Sequence, residues 1–136
     1  MTGKTGQCLC GAIKFELASD PVMSIVCHCK NCQRQAGSAF STIAGFPKDD
    51  LKFTQGEVKT YSDPTSESGD GMVLRHFCGN CGSPIYSETP GQPGMVFLKT
   101  GTLDDTSGFT AMAHIWCDSK MDWFDVPEGM PQVERQ

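Results

Sequence analysis

Eight cysteines, at positions 8, 10, 27, 29, 32, 78, 81 and 117, constrain this chain more than any other feature, because thiols in such numbers are either cross-linked or metal-bound. The first residues, MTGKTGQCLCGAIKF, lack a basic segment followed by an apolar run, and no later stretch approaches the ~20 apolar residues of a membrane-spanning helix. The expectation is therefore a cytoplasmic protein with no membrane association. Thiols stay reduced in that compartment, so the cysteines read as metal ligands rather than disulfides.

Their spacing separates two constellations. Cys8 and Cys10 form C-x-C-G, and Cys78 and Cys81 form C-G-N-C-G. Each pair can approach a metal from one side, at about 2.3 Å per Zn–S bond, and Gly11 and Gly82 permit tight backbone geometry next to it. Two such halves make a tetrahedral four-sulfur site. It would close a long loop and brace a lean core, so its expected role is structural. In an extended strand Cys8 and Cys10 would share a face, which argues against their being simple packing residues.

Cys27, Cys29 and Cys32 form the second constellation within CHCKNC. Three thiolates from one short stretch cover one face of a metal, the pattern of a site that keeps a position for water or substrate. His28 lies between two ligands, and strand alternation turns it away. Cys117, His114 and His76 are the distant donors that could close the site. Cys117 reads first as a buried filler. His76 could orient the structural site through a hydrogen bond, and His114 is a candidate pocket residue.

The rest of the chain reads as mostly β. Its 136 residues fit one domain spanning 1–136, with a core of about 7–125 and flexible termini. Fifteen glycines and eight prolines disfavour long helices. Strands are expected in AIKFEL (12–17), SIVCHC (24–29), FSTIAGF (40–46), LKFTQ (51–55), VKTYS (58–62), MVLRHF (72–77), PIYSE (84–88), MVFLKT (95–100) and MAHIW (112–116). Only KNCQRQAGS (30–38) looks helical, closed by Gly37. SDPTSESGDG (62–71) has little to bury and reads as a mobile loop, and VPEGMPQVERQ as a loosely held tail. The net charge of −5 becomes more negative once thiolates bind metal, and no basic run appears, so nucleic acid is not an expected partner.

In order, CLCGAIKFEL, CHCKNCQRQAGSAFSTIAGFP, LRHFCGNCGSPIYSE, KTGTLDD and HIWCDSKMDWF resemble the signatures of the glutathione-dependent formaldehyde-activating enzyme family, whose relatives include the centromere protein V type. The match runs from about Cys8 to Phe124. The resemblance implies a zinc-stapled β-tent of short antiparallel strands with little helix. It also implies two zinc ions per chain, one on Cys8, Cys10, Cys78 and Cys81 and a second on Cys27, Cys29 and Cys32. Its activity would be carbon–sulfur lyase chemistry joining glutathione and formaldehyde as S-hydroxymethylglutathione. Cys117 departs from the family pattern, where a small or apolar residue is expected after HIW.

A Zn²⁺ with an open position can hold a small thiol as thiolate and act as a Lewis acid toward a carbonyl. Glutathione, or a similar thiol, brings carboxylates, so its pocket should offer cations. Arg34, just past Cys32, is the first choice, with Arg75, Lys48 and Lys99 behind it. The competing readings are a non-catalytic zinc module that binds glutathione or a protein partner, and a thiol or metal sensor.

Overall fold

Phe15 and Leu17 alternate with Lys14 and Glu16, and Lys14–Leu17 accordingly forms a strand (β2) that buries the first pair and exposes the second. The computed structural model describes residues 4–65 and 71–135. In it β2 pairs antiparallel with Lys4–Gln7 (β1) on one side and Leu51–Gln55 (β5) on the other, making a three-stranded sheet. A seven-stranded sheet follows the order β10 (Ala113–Ile115), β3 (Met23–Cys27), β4 (Ser41–Pro47), β9 (Met95–Lys99), β8 (Pro84–Glu88), β7 (Val73–Phe77) and β6 (Lys59–Asp63). The chain is mostly β, with one α-helix, Lys30–Ala36 (α1), among the described residues.

The two faces of the large sheet do different things. Ala44 and Phe46 of β4 and Val96 and Leu98 of β9 point to one side, where they pack on Ile13, Phe15 and Leu17 beneath the small sheet. Residues one position out of phase, Ile43 and Phe97, point to the other side and pack with Cys27, Cys29, Cys32 and Trp116. The first face holds the fold together. Phe46, fully buried there, is expected to cost about 3–5 kcal/mol when replaced by alanine. Urea unfolding would measure this, and a loss under about 1 kcal/mol would contradict the packing described.

The structure departs in detail from the sequence expectations at four points. The strands are antiparallel except at one edge, where β10 runs parallel to β3 with His114 opposite Val26. Most of the chain separates these two strands, so no hairpin turn dictates their relative direction. The amino-terminal segment, expected to be flexible, pairs as β1 from Lys4 onward. Asp63 of the expected loop belongs to β6, where it is buried against Arg75 (Nε to Oδ2 2.7 Å). The mobility expected of that loop falls on residues 66–70, which lie outside the described residues.

The fourth is the carboxy-terminal stretch, which is tied down rather than loose. His114 N–H donates to Pro131 O and Val133 N–H to His114 O, both at 2.9 Å, and Cys117 N–H donates to Val133 O at 3.0 Å. Arg135 lies 4.8 Å from the centre of the Trp116 ring. A polar tail can be held this way because backbone pairing needs no apolar side chains. Among the described residues, no helix is long and apolar enough to cross a membrane.

Candidate functional site

Cys8 and Cys10 stand on the tight turn between β1 and β2, and Cys78 and Cys81 on the turn between β7 and β8. The sulfurs converge as expected, but for a different reason: Cys8 and Cys10 are not on an extended strand, and the turn aims them together. Gly11 (φ 80°) and Gly82 (φ 83°) follow the two pairs in left-handed conformations that a β-carbon would strain. Cys8 Sγ lies 3.6 Å from Cys10 Sγ, and Cys10 Sγ 3.9 Å from Cys78 Sγ. Bonds of about 2.3 Å in a tetrahedron put sulfurs about 3.8 Å apart, so this donor set fits Zn²⁺.

Backbone donors surround these sulfurs. Ile13 N–H reaches Cys8 Sγ at 3.3 Å, the N–H groups of Asn80 and Cys81 reach Cys78 Sγ at 3.4 Å, and the Asn80 amide reaches Cys10 Sγ at 3.2 Å. Hydrogen bonds of this kind favour thiolates. The Ser83 hydroxyl and amide are the main reason Cys81 is lowered to about 5. The site joins the small sheet to the far side of the large one, a cross-link between elements that share only one apolar face.

The second constellation straddles a change of secondary structure. Cys27 ends β3, Cys29 caps α1 by accepting the Cys32 N–H at 3.2 Å, and Cys32 sits in the first helical turn. All three are buried, and their sulfurs lie within 4.8 Å of one another. Among the described residues no fourth histidine, cysteine or carboxylate joins them. Hydrogen bonds from the Cys27 and Cys32 thiols draw Cys29 down to about 3, while the bonds of Cys27 to Cys29 and Cys32 push Cys27 far up. Three sulfurs on one side of a small space form a donor set that can hold a metal and leave it reachable.

Cys117 does not complete this site. Its thiol points at the His114 carbonyl (3.5 Å), outside both clusters. His76 does not orient the structural site either: its ring nitrogens engage Thr60 Oγ1 at 2.8 Å and Glu88 Oε1 at 2.7 Å. His28 turns away from the sulfurs, as alternation requires, and its Nε2 meets His114 Nδ1 at 2.9 Å. Burial first, then His114 and Lys120, holds His28 at about 4, and burial also lowers His114. Both rings are neutral at pH 7. Phe40 meets the His28 ring edge-on and Phe124 stacks on His114, so the four rings form one aromatic cluster.

The cations are arranged less as the sequence suggested. Arg34 lines a hollow of about 400 Å³ with Lys30, Gln33, Ser38, Met121 and Trp123, on the outer side of α1. Nearer the sulfurs stand Lys99, whose buried ammonium donates to Ser41 Oγ at 2.6 Å, and Arg75. Cys27 is opposite Ser41 across β3 and β4, and Ile43 opposite Lys99 across β4 and β9, so Cys27, Ser41 and Lys99 share one face. Ser41 and Asp63 were not singled out from the sequence. The signal was a charge, Lys99, ending the apolar run MVFL, since a lysine buried in a central strand demands a polar partner.

Asp63 fixes Arg75 and also binds the Thr65 amide and the Asn31 side chain, tying β6 to α1. Burial alone would raise its pKa, but the Thr65 hydroxyl and amide and the Arg75 guanidinium hold it at about 2, below the ordinary 3.8. A depressed carboxylate stabilises the fold fully above the unfolded value and loses that contribution as pH falls through the folded one. Melting temperatures recorded between pH 4 and pH 2 should therefore fall, and less steeply in Asp63→Asn. Equal slopes would show that Asp63 carries no such coupling.

Residues 3–119 match the sequence profile of the glutathione-dependent formaldehyde-activating enzyme family. The chain belongs to this family. A relative from Halomonas elongata, provisionally named a glutathione-dependent formaldehyde-activating enzyme, is 24% identical over 89% of this chain and 79% of its own length. One from Talaromyces marneffei with the same provisional name is 29% identical over 93% of this chain and 68% of its own. A crystal structure of a Rhodobacter sphaeroides protein superposes with a TM-score of 0.58 at 20% identity, covering 78% of this chain and 90% of that one, which establishes a shared fold. Both cysteine clusters of this formaldehyde-activating family member fall within the matched segment.

Proposed function

We propose that the chain is a zinc-dependent carbon–sulfur lyase that joins glutathione, or a closely similar thiol, to formaldehyde or another small aldehyde, and splits the adduct in reverse. The observation that carries this reading is the buried three-sulfur cluster with no fourth donor among the described residues, beside the lysine-lined end of β9. Membership of the family and the names of its relatives support the substrate class. All-sulfur donors suit zinc, and eight unbridged thiols suit the reducing cytoplasm.

Cys8, Cys10, Cys78 and Cys81 would hold a structural zinc, and Cys27, Cys29 and Cys32 the second. The second zinc would supply an open position that keeps a thiol ionised at neutral pH and a Lewis acid for the carbonyl. The chain does the rest. Ile43, Phe97 and Trp116 exclude water behind the sulfurs, which strengthens electrostatic interactions at the reacting atoms. Arg34, with Lys30 at the same hollow, is the proposed grip for a carboxylate of the thiol. His114, which meets His28 Nε2 at 2.9 Å, is the second proposed substrate-binding residue.

Exchange spectroscopy of formaldehyde with glutathione tests the reading. Intact zinc-loaded protein is expected to speed exchange at least about a hundredfold over the uncatalysed reaction. Binding of glutathione with no acceleration would leave only a non-catalytic module.

A further inference from the structure

Lys99 is a charge in an apolar place. It ends a strand whose preceding residues, Val96, Phe97 and Leu98, are all buried, and it is itself only 8% exposed. Burying an ammonium is costly unless its protons find acceptors. Among the described residues its one hydrogen-bond partner is Ser41 Oγ, at 2.6 Å, and no carboxylate pairs with it. Two of its three protons thus lack a protein acceptor. Arg75, the other cation acting on the sulfurs, is already engaged by Asp63.

Lys99 also lines a hollow of about 200 Å³ together with Phe40, Ser41, Thr42 and Pro84. That is below the roughly 300–1,000 Å³ of ordinary ligand pockets, too small for a tripeptide and ample for a one- or two-carbon carbonyl compound. Ser41, in the same wall, is the register partner of Cys27. A fixed cation at the wall of a small hollow, on the same sheet face as Cys27, is an arrangement that can stabilise negative charge developing on a substrate oxygen.

We propose that Lys99 is a catalytic residue: its ammonium receives the carbonyl oxygen of the aldehyde in this hollow and protonates it as the thiol adds. The inference rests on the thiol–aldehyde reading above. The thiol releases its proton to solvent and attacks as thiolate, forming the C–S bond. The carbonyl π pair moves to oxygen, which takes a proton from Lys99, and Lys99 regains one from water. Nothing is oxidised or reduced, and adduct cleavage is the reverse sequence. Ser41 is a positioning residue that holds the ammonium toward the hollow.

The test compares wild type, Lys99→Met and Ser41→Ala in formaldehyde–glutathione exchange, with metal content measured for each. Lys99→Met is expected to lower kcat roughly a hundredfold with KM for glutathione unchanged, the effect of removing one oxyanion donor. Ser41→Ala should lower kcat about tenfold, a displaced rather than a lost donor. A second readout is binding of S-carboxymethylglutathione, whose carboxylate lies on the side of the sulfur where the adduct oxygen would be, against S-methylglutathione. Lys99→Met should weaken the first about tenfold and leave the second unchanged. An accelerating wild type, with both variants equally fast and both thioethers bound as before, overturns the role of Lys99 alone. Should Lys99→Met not fold, a Ser41→Ala variant as fast as wild type overturns it equally. A wild type no faster than the uncatalysed reaction overturns the thiol–aldehyde reading, and this inference with it.

Discussion

Replacement of Cys78 by serine is expected to leave the protein unfolded at room temperature. Cys78 is 1% exposed, and its sulfur accepts two backbone N–H groups while standing 3.9 Å from Cys10 Sγ. The four-sulfur site ties the β1–β2 turn to the β7–β8 turn, which belong to different sheets. Structural zinc sites contribute on the order of 10 kcal/mol at neutral pH, while whole domains are stable by only about 5–15 kcal/mol. Losing the site therefore consumes most of the net stability. Circular dichroism with elemental analysis would check this, and chelation of the wild type should reproduce the loss. A Cys78→Ser protein that melts within a few degrees of wild type would show that the cluster is not a staple.

Cys29→Ser is expected to behave in the opposite way: folded, with one metal ion per chain in place of two, and with exchange reduced at least about a hundredfold. The difference follows from placement. Cys27, Cys29 and Cys32 come from one six-residue stretch, so they cross-link nothing distant, and the core beneath the small sheet does not include them. Serine in place of Cys29 can still cap α1 through its oxygen, which protects the helix start. Thermal melts, metal stoichiometry and exchange rates on the same preparation would separate the outcomes. A variant with full exchange activity and a single metal would remove the triad from the chemistry, and a collapsed fold would make it structural.

The grouping of the cysteines was legible from their spacing, because donors able to share one metal must stand at short separation and those close in sequence record it. The division into a set of four and a set of three needed no structure, nor did the turning away of His28. Strands such as Leu51–Gln55 and Pro84–Glu88 coincide with their expected ranges, since alternation and flanking turn residues act locally. The carboxy-terminal stretch was misread because its ties are backbone hydrogen bonds to β10 and the turn after it, which leave no mark in side-chain pattern. Asp63 was misread because a short run of polar residues hides one whose partner, Arg75, lies on the neighbouring strand.

By itself the sequence determined which atoms can bind metal, that the chain is built of short strands, and that one cluster lacks a fourth ligand close by in the chain. Tertiary structure alone decided which cation stands beside that cluster. Lys99 comes to the sheet face of Cys27 through a register, Cys27 opposite Ser41 and Ile43 opposite Lys99, that relates residues 72 positions apart. Pairing between distant strands is set by the packing of whole sheet faces, so no local pattern announces it.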